Sequence, residues 1–210
     1  MGTITALRSN DRKKQVDVFI DGLFSFVIST ELAVTNRLEV GRLLSVGQIE
    51  ELKEANLQHS CLDAALYFLS YRPRSESEVR QRLRRRGFNG KVIDDVILKL
   101  SERRLIDDAA FSEYWRNNRL SFSPRSGRLI KIELRQKGVP AETANEAVKD
   151  LDDDNSVYEA GLRKARRLSG LDYDDFRRRL YDYLRRRGFN YANVKGAVAR
   201  LWEEKQSGSL

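Results

Sequence analysis

The chain reads as mainly α: a tandem array of three three-helix modules forming a curved elongated body, preceded by a small β-rich N-terminal domain. Three features predict this. The stretch Val79 to Leu100 (VRQRLRRRGFNGKVIDDVILKL) returns as Ile130 to Leu151 (IKIELRQKGVPAETANEAVKDL) and as Leu180 to Leu201 (LYDYLRRRGFNYANVKGAVARL), at spacings of 51 and then 50 residues. Each copy sets apolar residues at helical spacing on both sides of a glycine, which makes it a repeated structural unit. Residues 1–55 lack this pattern and carry a hairpin signal instead.

Within a copy, Val79 and Leu83, Ile130 and Leu134, or Leu180 and Leu184 lead to Gly87, Gly138 or Gly188. A glycine following Arg or Lys at the end of an apolar stripe is a helix stop. It takes the left-handed conformation at little cost, and the cations face the negative end of the helix dipole. The next helix carries Val96, Ile97 and Leu100, matched by Ala147, Val148 and Leu151 and by Ala197, Val198 and Leu201. Ahead of the first copy stands Tyr71-Arg72-Pro73-Arg74-Ser75, and ahead of the second Phe122-Ser123-Pro124-Arg125-Ser126. Ser75 with Glu78 predicts a capping box. The third copy has no such proline, and Asp172 or Asp174 takes the cap. Each lead-in leaves room for one more helix, and a unit of roughly 50 residues buries its apolar face poorly alone, so neighbours should stack.

The expected divisions are residues 1–55 (β-rich), 56–106, 107–154 and 155–205 (modules one to three), and a polar tail, 206–210. In the first, Thr3 to Arg8 is β-prone. Val16 to Ile20 and Phe24 to Ile28 flank Asp21-Gly22, a hairpin turn whose loop either ends at Gly22 or includes Leu23, and Asn10-Asp11 marks another turn. A short helix is expected over Ser29 to Asn36, then a possible strand broken by Gly41, then a helix from Ser45 to Glu54 with Gln48 completing its capping box. Module one opens near Gln58, and its last helix runs from Lys91 to Arg103. Leu105-Ile106 seals it, and an aspartate of Asp107-Asp108 caps the next helix. In module two, Pro140 takes the first helical position and the helix reaches Leu151. Asp152-Asp153-Asp154 then forms a linker and cap.

The chain has one cysteine, Cys61, and one histidine, His59. That excludes a disulfide framework and a structural zinc site, and fits a reducing, cytoplasmic setting. No cofactor is expected, no apolar run nears the ~18 residues of a membrane span, and no catalytic motif or phosphate loop is present. His59 and Cys61 point apart on a helix, so they make no catalytic pair. Trp115 and Tyr114 could stack on bases, but packing between modules is the plainer role. The net charge is +8, distributed as −1, +5, −2 and +6 over the β-rich part and the three modules. Two basic modules suit an anionic partner, either nucleic acid or an acidic protein surface. The runs Arg84–Arg86, Arg177–Arg179 and Arg185–Arg187 are solvated helix faces on the plain reading. Recurrence of the same run in two modules favours binding, with one or two arginines per run in contact, because successive residues turn by about 100°.

Arg72-Pro73-Arg74-Ser75-Glu76 with Glu78, Leu83 and Gly87, then Leu105-Ile106-Asp107-Asp108 with Phe111, then Gly127, Ile130, Leu134 and Gly138, resemble the RecX family of bacterial recombination regulators. The resemblance covers about residues 58–203, and residues 1–55 resemble an extra part that some members carry. It implies a non-enzymatic monomer that lodges in the groove of the RecA–DNA filament and suppresses strand exchange, ATP hydrolysis and co-protease activity. Direct contact with single- or double-stranded DNA stays open. The residues expected to carry the contact are Arg80, Arg84 and Arg85 in module one, Arg116, Arg119, Arg125 and Arg128 in module two, and Arg178, Arg185 and Arg186 in module three. The alternative is a stand-alone helix-turn-helix DNA-binding regulator. Against it, the would-be recognition helix Pro140 to Leu151 carries Glu142, Glu146 and Asp150 and only Lys149 as a cation.

Overall fold

A computed structural model describes residues 1–208 as a mainly helical chain with a small N-terminal sheet. It forms two compact units. The first comprises Met1–Arg72 and Val79–Leu105; the second comprises Pro73–Glu78 and the chain from Ile106 onward.

The first unit opens with β1 (Gly2–Asn10), β2 (Gln15–Ile20) and β3 (Leu23–Ser29), joined by tight turns, and adds the two-residue β4 (Leu43–Leu44) in the antiparallel order β3-β2-β1-β4. The Asp21-Gly22 turn has φ of 49° and 84°, the left-handed pair that a two-residue hairpin requires. Alternation buries Val16, Val18, Phe26 and Ile28 on one face, and α1 (Thr30–Thr35), capped by Ser29, closes over it with Ala33. The possible strand after Asn36 shrinks to β4, because Gly41 turns the backbone at φ 94°.

From Ser45, whose capping box with Gln48 is complete, α2 (Val46–Leu69) runs unbroken. The helix expected to stop at Glu54 and the one expected from Gln58 are therefore one, since Ala55-Asn56-Leu57 holds no glycine or proline to end it. Asn56 fastens α2 to the sheet: it accepts from Ser29 N–H at 2.8 Å and donates to the Val27 carbonyl at 3.0 Å. Helix α4 (Gly90–Glu102) packs on α2; Val96 and Leu100 of the one and Cys61 and Ala65 of the other are buried. Ile106 is buried, whereas Leu105 is 48% exposed.

Helix α3 (Glu76–Arg85) begins within the second unit and ends in the first. The second unit continues with α5 (Asp108–Phe122), α6 (Gly127–Gln136) and α7 (Ala141–Glu146) around Phe111, Ile130, Leu134 and Ala144. A second core, around Ala160, Phe176, Leu184 and Leu201, joins α8 (Asp153–Ala165), α9 (Tyr173–Arg186) and α10 (Tyr191–Gln206). Two expectations shift. Pro140 is the N-cap rather than the first helical residue; it supplies no side-chain cap, and α7 ends at Glu146 rather than near Leu151, its last carbonyls tightening onto residues three ahead. The expected tail starts one residue late, because α10 includes Gln206; Ser207 caps it, and Ser209 and Leu210 lie outside the described residues.

Candidate functional site

The lead-ins of the first two copies are helix starts held by the module that follows. Ser75 caps α3 by accepting from Glu78 N–H, and the Glu78 carboxylate returns to Ser75 N–H. The Ser75 hydroxyl donates to the Lys137 carbonyl at 2.6 Å, Lys137 Nζ pairs with Glu78 at 3.1 Å, and Glu76 N–H donates to Asp108 Oδ1 at 2.9 Å. The pattern repeats about 50 residues on. Ser126 caps α6, its N–H donates to the Arg187 carbonyl at 3.1 Å, and Gly127 N–H donates to Asp153 Oδ1 at 2.8 Å. The paired aspartates thus divide their labour: Asp107 and Asp152 cap their own helices, while Asp108 and Asp153 reach back to the previous helix start. Burial pushes the carboxyls of Asp108 and Asp153 above the ordinary range, and the backbone N–H that each accepts pulls the other way. Sequence reasoning missed this use. The signal was the same Asp-Asp pair before both α5 and α8.

Glu133, only 8% exposed, sits between Ile130 and Leu134 on the apolar side of α6. It accepts from Trp115 Nε1 at 2.7 Å, from Arg119 Nε at 2.7 Å and from Arg125 Nη1. Arg119 and Lys137 also lie over the Trp115 ring, each at 4.2 Å from its centroid. Burial lowers the pKa of both guanidiniums, and for Arg125 the neighbouring Arg119 and Arg187 lower it further. Trp115 packs on Phe111 in module two's own core rather than between modules. Arg116 is also turned inward, donating to the Ala147 carbonyl at 3.2 Å. Of the four arginines expected to face a partner from module two, Arg128 alone is exposed.

The other two modules present theirs outward. Arg84 and Arg85 on α3, with Arg86 beyond it, are exposed, and their guanidiniums make no hydrogen bond or ion pair among the described residues. Arg80 is half-buried against Asp94. In module three, Arg185 and Arg186 are exposed, Arg185 lying 5.9 Å from the Tyr181 ring centroid, and Arg178 pairs with Asp175 at 2.6 Å. Beside them, α9 and α10 enclose a cleft of about 560 Å³ lined by Tyr173, Arg177, Tyr181, Tyr191 and Lys195. Arg187, last of its run, leaves the exposed face altogether: it stacks on Tyr183 and donates to Ser123 Oγ at 2.7 Å. Among the described residues no three of His, Cys, Asp or Glu gather where a metal ion could sit, and no helix is long and apolar enough to cross a membrane.

Known proteins share this arrangement. Residues 61–100, 107–148 and 152–198 match, in order, the first, second and third three-helix domains of RecX. A regulatory protein RecX of Chlorobium limicola is 33% identical over 148 residues, which are 69% of this chain and 93% of that protein. The chain belongs to the RecX family. A RecX of Listeria welshimeri is 30% identical over 148 residues, and the match spans 55% of its length. A crystal structure of a regulatory protein RecX covers 93% of this chain with a TM-score of 0.66 at 21% identity, which supports the fold, N-terminal sheet included.

Proposed function

We propose that this RecX-family chain is a regulator that binds the groove of the RecA–DNA filament and suppresses RecA's strand exchange, ATP hydrolysis and co-protease activity. The observation that supports the reading is the set of exposed guanidiniums on α3 and α9 without intramolecular acceptors among the described residues. Such groups suit carboxylates and phosphates, forming charge-assisted pairs that are individually modest and collectively large. Arg84, Arg85, Arg128, Arg185 and Arg186 make the contact. Arg178 joins it by exchanging Asp175, since exposed ion pairs are worth little, and Arg80 borders the contact from its half-buried place against Asp94. Arg116, Arg119 and Arg125 shape module two.

The test is RecA ATPase on single-stranded DNA with the wild-type chain, with Arg84, Arg85, Arg185 and Arg186 all changed to Glu, and with residues 1–55 deleted. The wild type should lower turnover in a salt-dependent manner and the four-fold variant should not; unchanged turnover with the wild type overturns the reading. A stand-alone DNA reader is disfavoured, because the would-be recognition helix of module two spans only Ala141–Glu146 and carries Glu142 and Glu146.

A further inference from the structure

The loops Leu83–Asn89 and Leu184–Asn190 are the same seven residues, LRRRGFN. They also share a backbone. Gly87 stands at φ 88° and Gly188 at 87°, and in each loop the arginine before the glycine donates its N–H to the leucine carbonyl at 3.0 Å. The second loop is occupied. The Arg187 carbonyl accepts from Ser126 N–H, and its guanidinium reaches Ser123 Oγ at 2.7 Å and the Pro124 carbonyl at 3.1 Å. Approach is so close that a Cβ on Gly188 would lie 2.6 Å from Ser126 Oγ and 2.7 Å from Leu129 Cβ. At the Gly138 turn of module two the Lys137 carbonyl accepts from the Ser75 hydroxyl instead, and a Cβ on Gly138 would overlap Ser77. By contrast, the Gly87 loop is exposed: a Cβ there would meet nothing within 4 Å, and the Arg86 side chain has no hydrogen-bond partner among the described residues.

We infer that the Gly87 loop is a preformed docking head for a helix N-terminus in another protein, one reached through a Pro-Xaa-Ser segment with the serine as N-cap. The occupied twin shows the chemistry of recognition: a loop carbonyl for the cap serine N–H, a guanidinium for the hydroxyl just before the proline and for the proline's own carbonyl, and a bare glycine against the cap. A second copy of this chain is a poor occupant. In each copy the Pro124–Ser126 segment is already held by the identical Arg187 loop, at an effective concentration on the order of millimolar, so a competing molecule at micromolar concentration loses about a thousandfold. The inference goes beyond the filament reading, because it specifies the recognised element whatever protein supplies it.

A labelled peptide with the sequence of residues 118–133 is the probe, titrated into the full chain and followed by fluorescence anisotropy. Saturable binding is expected, weakened at least tenfold by Arg86→Glu in the chain and by Ser126→Ala in the peptide, with circular dichroism of the chain unchanged. The peptide is itself cationic, so attraction by charge alone would make Arg86→Glu bind more tightly. Equal or tighter binding by that variant overturns the inference, as does absence of saturation up to millimolar peptide. Because no RecA is present, failure here is distinct from failure of the ATPase test.

Discussion

Replacing Glu133 by alanine removes the one acceptor that Trp115, Arg119 and Arg125 share. Breaking a buried ion pair by deleting one partner costs about 3–5 kcal/mol, because the other charge is stranded. Here the stranded side chains keep 22% and 31% exposure, so they rehydrate in part, and a cost of about 3 kcal/mol is the reasoned value. For a unit near a hundred residues that corresponds to a fall in Tm of roughly 10 °C or more. Scanning calorimetry would register it as a lower transition temperature. Adding Arg125→Ala to Glu133→Ala should recover at least about 1 kcal/mol, since the cation left without a carboxylate is then gone. A Glu133→Ala chain within about 0.5 kcal/mol of wild type, the scatter of an ordinary surface substitution, would refute the reasoning.

Three further outcomes follow from the same geometry. Gly87→Ala should cost only the left-handed strain of about 1–2 kcal/mol, whereas Gly188→Ala adds overlap with Ser126 and Leu129 and should cost at least about 1 kcal/mol more in urea unfolding. Asp153→Ala should destabilise by about 1–3 kcal/mol through the orphaned Gly127 N–H, while Asp153→Asn keeps an acceptor. The folded-state pKa of Asp153 is raised, so its proton-linked contribution favours folding at low pH and is lost as pH rises through that pKa; wild type should therefore gain on Asp153→Asn as pH falls from neutrality toward 4, measured by thermal melts. Cys61 is fully buried and its thiol is pushed up to about 11, so at pH 8 a disulfide-exchange reagent should leave it unmodified until urea unfolds the first unit.

What the sequence made legible was whatever rests on local chemistry. Asp21-Gly22 forces its hairpin, Ser45 and Ser75 find their capping partners three residues on, and Gly87, Gly138 and Gly188 end their helices in the left-handed conformation. Neighbouring residues settle those choices. Long-range partners settle the others. Nothing near Arg119 or Arg125 announces that both turn toward Glu133, 14 and 8 positions away. A clue stood in α6 itself, where a carboxylate lies between Ile130 and Leu134 on the side that must be buried. Such a group enters a core only with donors arranged around it.

The direction of the arginines also follows from charge balance counted module by module. With Asp152–Asp154 counted at the start of α8, residues 107–151 carry eight cations and seven acids, so module two is close to balance; Arg119 and Arg125 are drawn onto Glu133, and Arg128 remains outside. Residues 56–106 carry +5 and residues 152–210 carry +3, so cations outnumber acids in both modules, and the surplus of Arg84–Arg86 and Arg185–Arg186 faces solvent. Excess charge left unneutralised in a fold repels itself and weakens the compact state. A surplus largest in the first and third modules, at matching positions in the repeat, fits the anionic partner proposed above.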